Sequence, residues 1–160
     1  MHTQLKYNKE VKAKDTVYIV ASKSDLKKIK LSKGDLSFLS KKLDESSFGY
    51  IIKDGIYTVV SKLSSLKEAK NKEALRKNGH DIFELLKNDC STIQIEGENA
   101  ESIFLLMEGL SLSSYQFIKY FADKEKRQAT LKTAYTTNKL VDVSKANTIA
   151  DATNWAKELV

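Results

Sequence analysis

The chain has 160 residues, a mass of 18.1 kDa and one cysteine, which suits a single domain with a sizeable core and excludes internal disulfides and multi-cysteine zinc sites. Hydrophobic residues make up 41% and charged residues 30%, a balance too apolar for a disordered chain. Residues 1–6 lack the apolar stretch of a secretory leader, and no apolar run is long enough for a bilayer. These features predict a cytoplasmic protein with no membrane partner.

The net charge of +6 is unevenly distributed along the chain. Residues 1–80 contain 18 Lys and Arg against 9 Asp and Glu, whereas residues 81–160 contain 9 against 12. A basic first half can indicate an anionic partner such as nucleic acid. Seventeen of its 18 basic residues are lysines without interleaved aromatic residues, however, and this pattern is more typical of a solvated surface.

The first elements in chain order are a short strand predicted at residues 4–7 and a buried strand at 16–21, where β-branched and aromatic residues follow one another. A helix is predicted over 35–43, because three leucines fall on one helical stripe: Leu36, Leu39 and Leu43. With no proline in the sequence, the turns between elements must use Gly, Asn, Asp and Ser.

A β-hairpin is predicted next, because Asp54-Gly55 separates two β-prone runs at 49–53 and 56–60. An Asp-Gly pair tolerates the positive φ angles that a tight type I′ turn requires. Residues 66–88 follow as a helix whose apolar stripe contains Leu75, Ile82, Phe83 and Leu86. Asn78-Gly79 within it either interrupts the helix or allows another element to pack closely.

The second half of the chain continues the alternation of strands and helices. A strand is predicted at 91–96, a long helix at 100–117, a β-prone stretch at 129–136 and a final amphipathic helix at 146–160. The last helix places on one stripe Ile149, Ala152, Ala156 and Leu159, with Trp155 beside them. The alternation predicts an α/β fold, and the hairpin makes its sheet mixed.

No catalytic, cofactor-binding or metal-binding residue is predicted. His2 and His80 lack Cys, His or Glu at ligand spacing, so both are interpreted as solvated. Cys90 has no basic residue nearby and is interpreted as a small buried hydrophobe. The sequence also lacks the glycine-rich phosphate loops and the nucleophile motif G-x-S-x-G.

Two segments nevertheless carry a specific pattern. Residues 108–120 contain Glu108, Gly109, Leu112, Tyr115, Phe117 and Tyr120, and this run resembles the E-G-x-x-L-[GS]-x-Y-x-F-x-x-Y segment of leucyl (cytosol) aminopeptidases. Residues 150–160 resemble the helix A-x-x-x-N-x-A-[RK]-[DE]-L that follows about 30 residues later in that family. The three aromatic rings of the first segment are expected to be buried.

The resemblance implies that the chain is the N-terminal, non-catalytic domain of a metal-dependent aminopeptidase that removes N-terminal amino acids from peptides. It implies a three-layer α/β/α, macro-domain-like fold over residues 1–142 and a linker helix over 143–160. The two divalent metals, Zn or Mn, and the catalytic residues would belong to a separate catalytic domain, since the N-T-D-A-E-G-R-L motif does not occur here. The expected partners are that catalytic domain, further copies in a hexamer, and peptide substrates through the whole enzyme.

Two other functions stay open. One is a nucleic-acid-binding module that uses the basic first half. The other is a nucleotide or ADP-ribose binder, by analogy with macro domains. A phosphate cradle would need closely spaced glycines, whereas the six glycines here lie far apart in the sequence.

Overall fold

A computed structural model of the chain describes residues 2–118 and 120–160. Its centre is a six-stranded sheet with the strand order β1-β6-β5-β2-β4-β3. Along the chain the strands are β1 (Gln4–Tyr7), β2 (Asp15–Val20), β3 (Phe48–Lys53), β4 (Ile56–Lys62), β5 (Thr92–Glu96) and β6 (Thr133–Thr136). The helices are α1 (Lys23–Leu26), α2 (Lys33–Glu45), α3 (Ala69–Leu86), α4 (Ala100–Ser113), α5 (Lys124–Arg127) and α6 (Val143–Glu158).

The sheet is mixed, as predicted, because β3 pairs antiparallel with β4 while every other pairing is parallel. The turn between β3 and β4 holds Asp54 at φ 53° and Gly55 at φ 75°, which confirms the predicted hairpin. Since β3 lies at the edge of the sheet, the other five strands all point their carboxyl ends in one direction.

Helices cover both faces of the sheet, which confirms the predicted three-layer α/β fold. Alternate residues of β2 divide between the faces: Val17 and Ile19 join the larger core with α3, α4 and α6, whereas Val20 joins the smaller core with α1 and α2. The predicted stripe of α3 is buried in the larger core. In the part of the chain that the structure describes, no helix has the length and apolarity needed to cross a bilayer.

Helices α3 and α4 approach each other through glycines. A Cβ atom at Gly79 would lie 2.7 Å from the Leu110 nitrogen and closer still to the Leu106 carbonyl oxygen. A Cβ atom at Gly109 would lie 2.7 Å from the Arg76 Cα and would overlap the Arg76 carbonyl oxygen. Gly79 therefore does not interrupt α3 but allows close packing, the second of the two alternatives for Asn78-Gly79.

Several predicted elements are shorter than expected, among them the helix predicted at 66–88, which spans Ala69–Leu86. The predicted helix 100–117 ends at Ser113, where serine hydroxyls compete for backbone groups: Ser113 Oγ donates to Gly109 O and Ser114 Oγ donates to Ser111 O, both at 2.7 Å. The β-prone stretch 129–136 forms a strand only from Thr133. Before it, the Thr130 and Leu131 amides donate to the carbonyl of Lys87, outside the regular ladder.

Candidate functional site

A crevice opens at the carboxyl ends of the parallel strands. The chain leaves β2 toward α1 on one face of the sheet, and it leaves the neighbouring β5 toward α4 on the opposite face. Adjacent strands whose connections diverge in this way create a gap, which is where open α/β sheets commonly bind ligands. The strand order, which the sequence did not predict, thus places this cavity.

The cavity has a volume of about 580 Å³. Its floor is apolar and is contributed by the ends of β2 and β5, by α4 and by the loops after α1 and β4: Ile19, Val20, Ile29, Leu63, Ile95 and Ile103. Polar side chains surround this floor, among them Tyr18, Glu96, Asn99 and Asn138. An apolar cavity of this size with a few convergent polar groups has the form of a small-molecule site.

An ion-pair network joins the two walls of the crevice. Lys28, just after α1, places its Nζ 2.6 Å from Glu98 Oε1 on the β5–α4 loop and 3.0 Å from Asp25 Oδ1. Hydrogen bonding to Glu98 and Asp25 raises the pKa of Lys28, and the Lys28 ammonium in turn lowers the pKa of Asp25. Asp25 also accepts hydrogen bonds from the backbone amides of Ala21 and Ser22 at 3.1 Å, which fixes the start of α1.

Deeper in the crevice, Tyr18 lies close to the Glu96 carboxylate. Burial raises the pKa of the Tyr18 phenol, and the neighbouring charge of Glu96 raises it further. Glu96 accepts a hydrogen bond from Gln94 Nε2 at 2.7 Å. Tyr18 therefore stays protonated at neutral pH, and Glu96 supplies the negative charge nearest to it.

The N-terminus of α4 borders the crevice, but its own residues occupy its cap. Asn99 Oδ1 accepts from the Ser102 amide at 2.9 Å, and Ser102 Oγ donates to the Asn99 carbonyl at 2.7 Å. The crevice is lined by one glycine, Gly97, where a Cβ would lie 3.3 Å from Ile19 and from Ile103. Gly97 thus serves the packing of β5 against α4, and a glycine-rich phosphate cradle is not formed here.

The residues examined for chemistry lie apart from this crevice. His80 is exposed on α3, as predicted. The prediction that His2 is solvated is wrong, because its side chain is only 6% exposed and its Nε2 lies 3.4 Å from Asp151 Oδ1. Burial lowers the pKa of His2, so the imidazole is neutral at pH 7. Within residues 2–118 and 120–160, no group of three or more His, Cys, Asp or Glu side chains is arranged to hold a metal ion.

Cys90 is buried in the larger core, as predicted. Burial and the nearby carboxylates of Asp15 and Asp89 raise the pKa of its thiol to about 12. The thiolate is the reactive form of cysteine. We therefore expect that a disulfide reagent at pH 8 leaves Cys90 of the folded chain unmodified over an hour and modifies it within minutes in concentrated guanidinium, as measured by absorbance. Rapid modification without denaturant would contradict this burial.

The motif at Glu108–Tyr120 is partly structural and partly exposed. Glu108 is buried on α4 and its Oε2 lies 2.6 Å from Arg76 Nε on α3. Hydrogen bonding to Glu108 raises the pKa of Arg76, so the guanidinium stays charged at neutral pH. The expectation that the aromatic rings are buried is wrong for Phe117 and Tyr120, which are 48% and 75% exposed. They follow the end of α4, where the chain no longer packs on the core.

The final helix presents its apolar stripe outward. Helix α6 packs against α4 and β1 through small and polar residues, Ala146, Ala150 and Asn154. Of the predicted stripe, Ile149 is half-buried, whereas Ala152, Ala156 and Leu159 face solvent together with the neighbouring Trp155. Trp155 is 67% and Leu159 68% exposed. The sequence shows that α6 is amphipathic, but it does not show that small residues are enough to pack the helix against α4 and β1. The inner side is narrow because Asn147 bonds both backbone groups of Leu5 on the edge strand, at 3.0 and 2.8 Å.

The lysines of the first half are exposed, and several are neutralised by neighbours. Lys23 pairs with Asp44 at 2.8 Å and Lys53 pairs with Asp35 at 3.0 Å. Exposed lysines in helices and loops, paired in part with carboxylates, fit the interpretation of a solvated surface. The residues that line the crevice were not singled out in the sequence. A signal existed, since polar residues lie just after the buried strands, with Ser22 after β2 and Glu98 and Asn99 after β5.

No protein-family model and no curated protein sequence matches the chain. Among solved structures, tomato leucine aminopeptidase (the K354E mutant) is similar with a TM-score of 0.63 at 14% identity, over 93% of this chain and 35% of that chain. The bottromycin maturation enzyme BotP in complex with Mn is similar with a TM-score of 0.53 at 12% identity, over 90% of this chain and 30% of that chain. The chain thus spans about a third of the length of each. At these identities, the likeness establishes a shared fold.

Proposed function

We propose that this chain is a non-catalytic accessory domain of a metal-dependent aminopeptidase of the leucyl type, which removes N-terminal amino acids from peptides. The observation that carries the proposal is the fold likeness to tomato leucine aminopeptidase, which extends over 93% of this chain but only 35% of that one. A domain that matches a third of an enzyme leaves the larger part of that enzyme to perform the chemistry. The sequence resemblance at residues 108–120 and 150–160 supports the same assignment independently.

The residues that carry the resemblance have structural tasks. Gly109 allows α4 to touch the backbone of α3, and Glu108 pairs with Arg76 across the same contact. Asn154, in the second segment, lies on the inner face of α6. None of these groups is arranged to activate water or to hold metal. In the proposed enzyme, two divalent ions, Zn or Mn, would supply the activated water, and their ligands would come from the catalytic domain.

The outward stripe of α6 is the surface that we assign to the contact with the catalytic domain. It exposes Trp155 and Leu159 together, and exposed apolar side chains that lie close together favour any contact that removes them from water. The domain would then position the catalytic domain in a homo-oligomer and limit the access of peptide substrates, without touching the scissile bond.

The test compares this chain with the complete natural protein that contains its sequence. Each is purified and assayed on leucine p-nitroanilide with Mn²⁺ or Zn²⁺ and with chelator. We expect metal-dependent release of nitroaniline from the complete protein and none from residues 1–160. Hydrolysis by the chain alone that chelator abolishes, or a complete protein without aminopeptidase activity, would contradict the proposal.

The α6 contact is tested in the complete protein with Trp155→Glu, and the control is Phe38→Glu. Phe38 is also an exposed aromatic residue, 47% accessible, but it lies on α2 in the opposite helical layer. A charge placed in a buried apolar contact is costly, whereas the same charge on a free surface is not. We expect Trp155→Glu alone to lower the sedimentation coefficient of the complete protein, because a domain released from its contact makes the particle less compact. If the two variants sediment alike, α6 does not contact the catalytic domain.

A further inference from the structure

We propose that the crevice at the carboxyl ends of β2 and β5 binds a small organic cation, a primary ammonium group carried on a hydrocarbon body. This inference does not rest on the proposed function, since it concerns a cavity within the domain itself. It begins from the cavity, about 580 Å³ in volume, which lies within the range of small-molecule sites.

The floor of the cavity selects the body of the ligand. Six aliphatic side chains form it, and five of them are buried in the two cores, which gives the floor a fixed shape: Ile19, Val20, Ile29, Ile95 and Ile103. An apolar ligand body that covers this floor removes hydrocarbon from water on both sides of the contact. A ligand without a hydrocarbon body would leave the floor wet.

The charged residues select the sign of the ligand. The lining contains three carboxylates, Asp25, Glu96 and Glu98, and a single ammonium, Lys28. Lys28 already forms ion pairs with Asp25 at 3.0 Å and with Glu98 at 2.6 Å, so its positive charge is balanced within the crevice wall. A cleft with one excess sign of charge and low-dielectric walls concentrates ions of the opposite sign.

Glu96 is the group best placed to receive an ammonium. Its hydrogen bond from Gln94 uses Oε1, and among the described residues no other hydrogen bond reaches this carboxylate. Glu96 is half-buried beside the phenol of Tyr18, between the apolar floor and the rim. A carboxylate in this position gives a charge-assisted hydrogen bond of greater strength than one in open water.

The same residues disfavour an anionic ligand such as a nucleotide. A phosphate in the crevice would meet Glu96 and Glu98, and the sole cation that lines it is already paired. The Ser102 amide at the start of α4 donates to Asn99 Oδ1, and a Cβ at Gly97 would meet Ile19 and Ile103. The nucleotide or ADP-ribose alternative therefore finds no unpaired positive charge among the described residues that line this crevice.

The experiment uses three probes with one hydrocarbon body: 4-phenylbutylamine, 4-phenylbutan-1-ol and 4-phenylbutanoate. Each is titrated into ¹⁵N-labelled chain in about 0.15 M salt, where interactions with exposed charges are largely screened. We expect the amine to bind with a Kd of about 1 mM, the value expected for a ligand of its size. The NMR chemical-shift changes that the amine causes should concentrate at the backbone amides at the ends of β2 and β5. The alcohol should bind at least fivefold more weakly, and the carboxylate should not bind.

The variant Glu96→Gln tests the assigned carboxylate, with Glu84→Gln on the exposed surface of α3 as its control. Both substitutions keep the size of the side chain. We expect Glu96→Gln to weaken the binding of the amine about tenfold and to leave the affinity for the alcohol unchanged. Glu84→Gln should change neither affinity. Four results would each overturn the proposal. The amine and the alcohol could bind with equal affinity, or the carboxylate could bind more tightly than the amine. The chemical-shift changes could be scattered over surface carboxylates, or the amine could fail to bind at 20 mM.

Discussion

Gly109→Ala is expected to destabilise the chain by about 1–2 kcal/mol, although alanine is the better helix former. The added Cβ would overlap the carbonyl of Arg76, and a backbone atom cannot turn away as a flexible side chain can. Helices α3 and α4 must therefore separate, and overpacking of this kind typically costs 1–3 kcal/mol or more. The helix propensity of alanine returns only about 1 kcal/mol of that cost. Urea unfolding followed by circular dichroism measures the difference.

The matched control is Gly34→Ala, in the first turn of α2. The nearest atom to a Cβ there is Ser32 Oγ at 3.9 Å, so the methyl group has room. This substitution should leave stability unchanged or raise it by up to about 1 kcal/mol. Gly79→Ala, on the facing helix, should behave like Gly109→Ala because its Cβ would meet the Leu106 carbonyl. Stabilisation at Gly109 would mean that α3 and α4 are further apart than the structure shows.

Removing one partner of the Arg76–Glu108 pair is expected to cost about 2–3 kcal/mol. The Glu108 side chain is 10% exposed and the Arg76 side chain 36%, so the carboxylate has little contact with water and Arg76 is its charged partner. Breaking a fully buried pair typically costs 3–5 kcal/mol, and the partial exposure of Arg76 reduces that value. Arg76→Ala leaves an uncompensated carboxylate between two packed helices, and the loss should appear as a lower urea midpoint.

The double variant Arg76→Met with Glu108→Leu separates charge from packing. Replacement of both partners by apolar residues of similar size is often neutral, because no charge is left without a partner. We expect it to recover most of the stability that Arg76→Ala loses. A control at an exposed pair, Lys70→Ala opposite Glu68, should change stability by less than about 1 kcal/mol. If the double variant is as unstable as Arg76→Ala, the two side chains stabilise the helix contact by their packing and not by their charges.

These predictions concern the part of the molecule that the sequence motif marks most strongly. Glu108 and Gly109 stand first in the aminopeptidase-like segment, and both act on Arg76, one through its side chain and one through its backbone. A motif that appears suited to function in the sequence is, in the structure, the closest helix contact of the domain. The crevice, by contrast, carries no motif.

Local patterns in the sequence determined most of the architecture. The Asp54-Gly55 turn, the β-prone run of β2 and the apolar stripe of α3 depend on residues that are neighbours along the chain, and the structure contains all three. The end of α4 was misplaced because serine hydroxyls competed for its last carbonyls, a local effect that periodicity does not register. The single cysteine and the lack of nucleophile motifs also came directly from the sequence.

Only the tertiary structure decided which surfaces meet and which stay open. The crevice brings together Asp25, Glu96 and Asn138, more than 40 residues apart in succession, because the strand order places the ends of β2, β5 and β6 side by side. The tertiary structure likewise decides which face of α6 is exposed. Ala146 and Ala150 fill the narrow space beside β1, and Trp155 stays exposed to solvent. Strand order and helix orientation are set by the competition among all apolar faces for one core, and no single segment contains that information.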